Sequence, residues 1–301
     1  MKSIFCLICA LLAAACFSPA QAALNIFACE PEWAALSQEL GGDLVSTYSA
    51  TTAQQDPHQI QARPSLIARA RQADLVICSG AELESGWLPQ VLRQAANGKV
   101  QPGASGNLEA ALLVPRLDIP QRLDRAEGDV HSSGNPHIQM DPRNIAKVAD
   151  ALVQKLVQLD AAHAAQYAER HERFAKRWSE ALTQWTARGA RLKGLRVVTH
   201  HKNMVYLLNW LGMVEAANLE PKPGIPPSVS HLQELLTTLK ATPVRGILRM
   251  PYEDEGASQW LSGHSGVPAL VLPGSVGGLP DSDNLFKLFD VTLTQLLKMA
   301  P

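Results

Sequence analysis

Between Arg143 and Arg188 the chain contains neither proline nor glycine. Within that stretch Ile145, Val148, Ala149, Leu152, Val153, Leu156 and Leu159 recur at the spacing of one helix face. Phe174, Trp178, Leu182 and Trp185 carry the pattern on. At 1.5 Å per residue, an unbroken helix of this extent spans roughly 65 Å. That is long for one domain and suits a rod that joins two.

On either side of the rod the pattern changes. Residues 24–140 alternate short apolar runs with helical segments. Strands are expected at Leu24–Cys29, Leu44–Tyr48, Asp74–Cys78 and Leu112–Val114, and helices at 32–40, 64–72 and 87–96. After Gly189 and Gly194 the alternation returns, with strands at 195–199, 214–217, 246–248 and 267–272. Helices are expected at 203–211, 230–240, 256–262 and 285–298, with Ser230 as an N-cap. Strand–helix alternation is the pattern of parallel sheets covered by helices. The expected architecture is α/β: two doubly wound lobes, 23–142 and 189–301, joined by a single long α-helix over 143–188. No internal repeat aligns.

Residues 1–22 read as an export signal. Lys2 supplies the positive start, Ile4 to Phe17 is an apolar run too short to span a membrane, and Ala20-Gln21-Ala22 is a small-x-small cleavage site. Lipidation at Cys16 is the alternative. Cysteine use fits an oxidising compartment: Cys6, Cys9 and Cys16 leave with the signal, and Cys29 and Cys78 remain. Both end expected strands, so a disulfide and a pair of buried thiols are both open. With a formal net charge of −1, the chain lacks the bulk charge that would hold nucleic acid or an anionic membrane.

Of nine histidines, three stand in shaped loops. His137 lies in Gly134-Asn135-Pro136-His137-Ile138-Gln139-Met140-Asp141-Pro142, where proline steps bias the backbone away from helix just before the rod. His58 follows Asp56-Pro57, and His201 ends the apolar run 195–199. Ligands of doubly wound sheets bind outside the carboxyl ends of the strands. Loops so placed on two facing lobes could bring three imidazoles to one metal ion. Gaps of 79 and 64 residues form no local motif, and spacing alone leaves each histidine readable as an ordinary hydrogen-bonded side chain.

Taken together, the motifs carry more. Asp56-Pro57-His58, Ala73-Asp74-Leu75-Val76 leading to Leu83-Glu84, Gly134-Asn135-Pro136-His137 with Asp141-Pro142, Val197-Val198-Thr199-His200-His201 with Tyr206, and Glu220-Pro221-Lys222-Pro223-Gly224 with Pro227-Ser228 occur in order along nearly the whole mature chain. In this the sequence resembles the periplasmic zinc- and manganese-binding receptors of ABC importers, whose two lobes are joined by one long helix. The resemblance implies a periplasmic, monomeric, non-catalytic receptor that captures a metal ion between its lobes and delivers it to an inner-membrane ABC permease. A metallochaperone is a further partner such a receptor could take.

By the resemblance, His58, His137 and His201 are the metal ligands. His201 rather than His200 is the third, since it stands five residues before Tyr206. The family's carboxylate after a late strand has no clean counterpart here: Asp281 is the first choice, with Asp283, Glu253, Asp254, Glu255 or a water as rivals. His131 lies six residues before His137, where many zinc-binding members carry a His-rich insertion that is nearly absent here. Three imidazoles favour zinc; manganese calls for more carboxylate oxygen. Each ligating imidazole should also donate its other N–H, with Asp56, Glu84 and Asp141 as candidate acceptors. A long proline-free rod predicts small loop and lobe adjustments on binding rather than a wide hinge swing. His163 and His171, among charged neighbours, read as surface residues.

Three other readings compete. A manganese receptor would share the fold. A surface adhesion protein of the same fold would bind host matrix without metal. A zinc hydrolase would need an open coordination position and a general base, and the chain has no His-Glu-x-x-His.

Overall fold

The structure is a computed structural model, and it describes residues 23–122, 128 and 130–300. The expected export signal lies outside them. No helix among the described residues is long and apolar enough to cross a membrane.

Two four-stranded sheets form, each wholly parallel. The first contains β1 (Leu24–Ala28), β2 (Val45–Ser49), β3 (Leu75–Cys78) and β4 (Asn107–Glu109), in the order β2-β1-β3-β4. The second contains β5 (Arg196–Thr199), β6 (Val214–Asn218), β7 (Gly246–Arg249) and β8 (Ala269–Val271), in the order β6-β5-β7-β8. The two orders are the same topology repeated, although no sequence repeat betrays it. The central strands are mostly apolar and buried, as strands covered on both faces are. All four residues of β3 are buried.

Helices α1 (Pro31–Gly41), α2 (Pro64–Gln72) and α3 (Leu88–Ala95) belong to the first lobe. All three have proline in their first turn, where its missing N–H costs nothing. The second lobe has α6 (Val205–Leu211), α7 (Val229–Ala241), α8 (Glu255–Ser265) and α9 (Leu285–Leu297). Ser228, not Ser230, caps α7: its hydroxyl accepts the amide of His231.

The stretch expected as one rod is two helices, α4 (Pro142–Leu159) and α5 (Ala164–Gly189). The break comes without proline or glycine. Asp160 is extended out of helical geometry (φ −142°, ψ 71°). Its buried carboxylate accepts from His163 Nδ1 at 2.7 Å and from the Tyr167 hydroxyl at 2.9 Å. A short acidic side chain that captures groups one turn ahead competes with the helix it interrupts. The chain then doubles back, so that α4 and α5 pack on each other and His171 on α5 meets Asp150 on α4 at 2.8 Å.

Helix α4 stays with the first lobe. Its face of Ile145, Val148, Ala149, Leu152, Val153 and Leu156 is buried in the same core as Ile26 and Leu75. Each fully buried Leu, Ile or Val contributes about 1.5–3 kcal/mol. The long helix that links the lobes is α5, about 39 Å at 26 residues. On the first lobe Arg177 reaches Glu39 at 3.2 Å. On the second, Trp185 Nε1 donates to Asp290 at 2.9 Å, and the Trp178 ring meets Phe286 edge-on at 5.0 Å.

Strand β4 also differs from expectation. The apolar run at 112–114 follows it in a 3₁₀ turn (Ala110–Leu113), while the pairing residues are Asn107–Glu109. A three-residue edge strand with one buried position has no apolar pattern to announce it. Cys29 and Cys78, at the adjacent ends of β1 and β3, form a disulfide with their Cα atoms 4.8 Å apart.

Candidate metal centre

The carboxyl ends of the two sheets face each other, and the three histidines stand there. His58 lies in the loop from β2 to α2, His201 in the loop from β5 to α6, and His137 in the loop before α4. Local bonds fix each loop. The amide of His137 donates to Asn135 Oδ1 at 3.0 Å, and Asn144 Nδ2 holds the Ile138 carbonyl at 3.0 Å. Asp141 then caps α4 through the amide of Arg143, with Pro142 as the first helical residue. The proline-framed segment is therefore a stiff lead into a helix, as expected.

The structure brings His58, His137 and His201 together. One ring nitrogen from each lies within 4.8 Å of the others. Ring centroids are 5.2 Å apart for His58 and His137, 5.6 Å for His58 and His201, and 5.8 Å for His137 and His201. Two of the three are held from behind by carboxylates. His58 Nδ1 meets Asp56 Oδ1 at 2.7 Å, and His201 Nδ1 meets Glu220 Oε2 at 2.7 Å. A carboxylate at Nδ1 fixes the tautomer and turns a bare Nε2 toward the centre. His137 Nε2 is buried with no hydrogen-bond partner. Burial, reinforced by the charges of His58, His201 and His131, holds its proton affinity well below the usual imidazole range, so the ring is neutral near pH 7. Neutral imidazoles with unpartnered nitrogens are what a metal ion takes up. At Asp56, burial would raise the carboxyl, but the hydrogen bond and charge of His58 outweigh it and leave the group below its ordinary value.

Of the expected acceptors, Asp56 serves, while Glu84 and Asp141 are engaged elsewhere: Glu84 accepts the amide of Gly80, and Asp141 pairs with Arg143. Glu220 fills the second role. The sequence signal for it was its place in the Glu220-Pro221-Lys222 motif, two residues beyond the end of β6. His200 is not one of the three whose ring nitrogens converge; it lines a cavity with His58 and His201 and keeps a buried, unpartnered Nδ1.

Asp281 is not drawn into the trio. It is exposed, sits at φ 63°, and borders none of the cavities onto which the trio opens. Asp283 pairs with Lys287 at 3.0 Å. Asp254 caps α8, and Glu255 pairs with Arg249. Glu253 shares a cavity of about 310 Å³ with His58, His201 and Glu220. Burial raises it to about 8, against the amide of Met250 and Asn203, which lower it. His131 is nearer. Its Nε2 lies 3.3 Å from His58 Nε2, and it lines the other cavity, about 330 Å³, together with His137 and His201. A spacing of about 3.4 Å is what zinc–nitrogen bonds of 2.0–2.1 Å give around a tetrahedron.

The chain belongs to the family described as zinc-uptake complex component A, periplasmic, whose profile matches residues 26–299. That family is one of solute-binding receptors, not of enzymes. The chain is 27% identical to the zinc-binding lipoprotein AdcA of Streptococcus pneumoniae over 85% of its own length. It spans only half the length of that relative. It is also 27% identical to the iron-binding protein YfeA of Yersinia pestis, over 67% of this chain and 62% of that one. Among solved structures, a crystal structure of ZnuA aligns with a TM-score of 0.75 at 18% identity, over 91% of this chain and 98% of the other. A zinc-bound ZnuA deletion mutant aligns with a TM-score of 0.76 at 19% identity, over 93% and 99%.

Proposed function

We propose that the chain, exported to the periplasm on residues 1–22, captures zinc between its lobes on His58, His137 and His201 and passes it as cargo to an inner-membrane ABC permease. One observation carries the reading: three imidazoles from three separate loops converge, two of them fixed at Nδ1 by carboxylates and the third buried neutral. The all-nitrogen set favours zinc over manganese or iron, which accept more carboxylate oxygen. The relatives named for iron and manganese make the metal itself the point to test. His131 is the best-placed fourth donor; Asp281 would reach the centre only if its turn moved.

Binding needs little motion. The trio is already gathered, and the lobes are tied by Asn135 Nδ2 to the Lys202 carbonyl at 2.6 Å and by Gln54 Nε2 to the Gly278 carbonyl at 3.1 Å. The test is metal content and competition titration on the mature chain. We expect one zinc per chain, not displaced by manganese and lost in His58→Ala, His137→Ala and His201→Ala. His131→Ala should weaken zinc while Asp281→Ala leaves it unchanged. Manganese preferred over zinc, or zinc retained in the trio variants, would overturn the reading.

A further inference from the structure

A second, smaller cavity also borders His137. It measures about 30 Å³ and lies between the lobes. Glu30, Glu32 and Gln139 line it from the first lobe, and Asn203, Tyr252 and Ser275 from the second. Its size admits roughly one or two water-sized species. Its chemistry is unlike that of the trio.

The polar groups here are deeply buried. Glu32 is 0% exposed, Asn203 1%, Glu30 3% and Gln139 7%. Glu32 Oε1, Asn203 Oδ1 and Gln139 Oε1 have no hydrogen-bond donor. Glu30 Oε1 has no hydrogen-bond partner either, and the Glu30 carboxyl lies against that of Glu84. The remaining atoms of Glu32, Glu30 and Asn203 are occupied, which settles how those three groups are turned. Glu32 Oε2 accepts from the Ser275 hydroxyl, and Glu30 Oε2 accepts from the amide and hydroxyl of Ser79. Asn203 Nδ2 donates to the Tyr252 hydroxyl at 3.2 Å and to Glu253 Oε1 at 2.8 Å, so its other atom is an oxygen.

Buried polar atoms are nearly always partnered; besides His137 Nε2, which belongs to the trio, four unpartnered ones around a single small cavity call for a shared partner. Once the two carboxyls are ionised, Glu32, Glu30 and Asn203 all present acceptor oxygens, and no lysine or arginine lines the cavity. The partner must therefore bring positive charge or donated protons only. Oxygen atoms from carboxylates and amides are hard donors, suited to the magnesium, calcium and manganese class, whereas the trio's imidazoles suit zinc.

We propose that this cavity is a second cation site, separate from the histidine trio, which takes a hard divalent cation on Glu32, Asn203, Gln139 and Glu30. Such an ion would bridge the first lobe to the second immediately beside His137. Burial raises the Glu32 carboxyl to about 7 and Glu30 well above its ordinary value, so the ion enters by displacing protons and binds more tightly as pH rises.

The test uses Mn²⁺ as probe on the mature chain at pH 8. One equivalent of zinc is added first to fill the trio, and bound Mn²⁺ is then counted by electron paramagnetic resonance. We expect one Mn²⁺ per chain with zinc retained, and Glu32→Gln should weaken Mn²⁺ by roughly tenfold or more at unchanged zinc stoichiometry. Because Glu32 is fully buried, crystals of the unaltered zinc-loaded protein soaked in Mn²⁺ supply a second readout. The anomalous signal at the manganese edge should fall between Glu32 and Asn203. No Mn²⁺ bound, Mn²⁺ that only displaces zinc, unchanged binding in folded Glu32→Gln, or signal confined to the trio or to surface carboxylates would overturn the site. Failure of zinc to bind one-to-one before Mn²⁺ is added would count against the zinc reading instead, leaving the manganese-edge signal to decide this one.

Discussion

The hydroxyl of Tyr206, in the second lobe, donates to the carbonyl of Asn135, in the first, at 2.8 Å and accepts the amide of Leu117 at 3.0 Å. Asn135 is two residues before His137, and Tyr206 five after His201. One phenol thus fixes the relative position of two loops that carry imidazoles from opposite lobes. Tyr206→Phe removes both bonds and strands a carbonyl and an amide. It should destabilise the protein by about 1–3 kcal/mol. Zinc affinity should fall with it. Urea unfolding and a zinc competition titration check this; unchanged values in both would show that the bond holds nothing in place.

Asp56 and Glu220 hold the two imidazoles from behind. Asp56→Ala and Glu220→Ala should each weaken zinc by about 10–100-fold without changing its stoichiometry. Competition against a chelating dye reads this directly. Full affinity in either variant would mean that the ring orientation is set by packing alone.

Glu84 lies fully buried against Glu30, and burial raises it to about 7, offset in part by its hydrogen bonds to Glu30 and to backbone amides. The folded state therefore binds a proton more tightly than the unfolded chain, whose carboxyl titrates near 4.5. Stability from this group is fully present below 4.5, falls as pH rises from there to about 7, and is then constant. The loss is on the order of 3 kcal/mol. With chelator present to remove metal, urea unfolding from pH 5 to pH 8 should show a decline to which the raised carboxyls of Glu30, Glu32 and Glu253 also contribute, and Glu84→Gln should make it shallower. A slope unchanged in the variant would assign the pH dependence elsewhere.

The Asp160–His163 pair turns the chain between α4 and α5. His163→Ala should leave zinc binding untouched while lowering stability by about 1 kcal/mol. Asp160→Ala should cost more, since it also strands the buried Tyr167 hydroxyl. Thermal melts with zinc titrations separate the two effects, and a loss of zinc in His163→Ala would tie the turn to the site.

Much of this was legible beforehand. Apolar runs and capping prolines placed seven of the eight strands and the helices around them, because those elements are buried and their patterns follow burial. The eighth, β4, is an edge strand that its neighbour pairs through the backbone, and backbone pairing leaves no mark on side chains. The break at Asp160 hides for a related reason: it is made by a hydrogen bond to His163 and Tyr167, not by an absent amide or a missing Cβ. His163 and His171 accordingly read as surface residues, although each is bonded to an acid. At the site, the proline-framed loops drew notice to His58 and His137 and the end of an apolar strand to His201, but it was the ordered set of motifs along the chain, not their spacing, that grouped them. Glu220 and the neighbourhood of His131 depend on how two distant loops meet across the cleft, which no periodicity encodes.

The sheets are two, but the largest apolar cluster is one. It runs from Leu36 and Leu40 on α1, through Phe174, Trp178 and Trp185 on α5, to Phe289 and Leu293 on α9. Each half also has a smaller cluster of its own, but neither can lose its share of the common one without opening the other's. Heat should therefore unfold both in a single all-or-none event, with calorimetric and van't Hoff enthalpies equal. The alignment of three nitrogens from separate loops is then underwritten by the cooperativity of the whole chain, and a lesion far out on α9 would reach the cleft by shifting that common equilibrium.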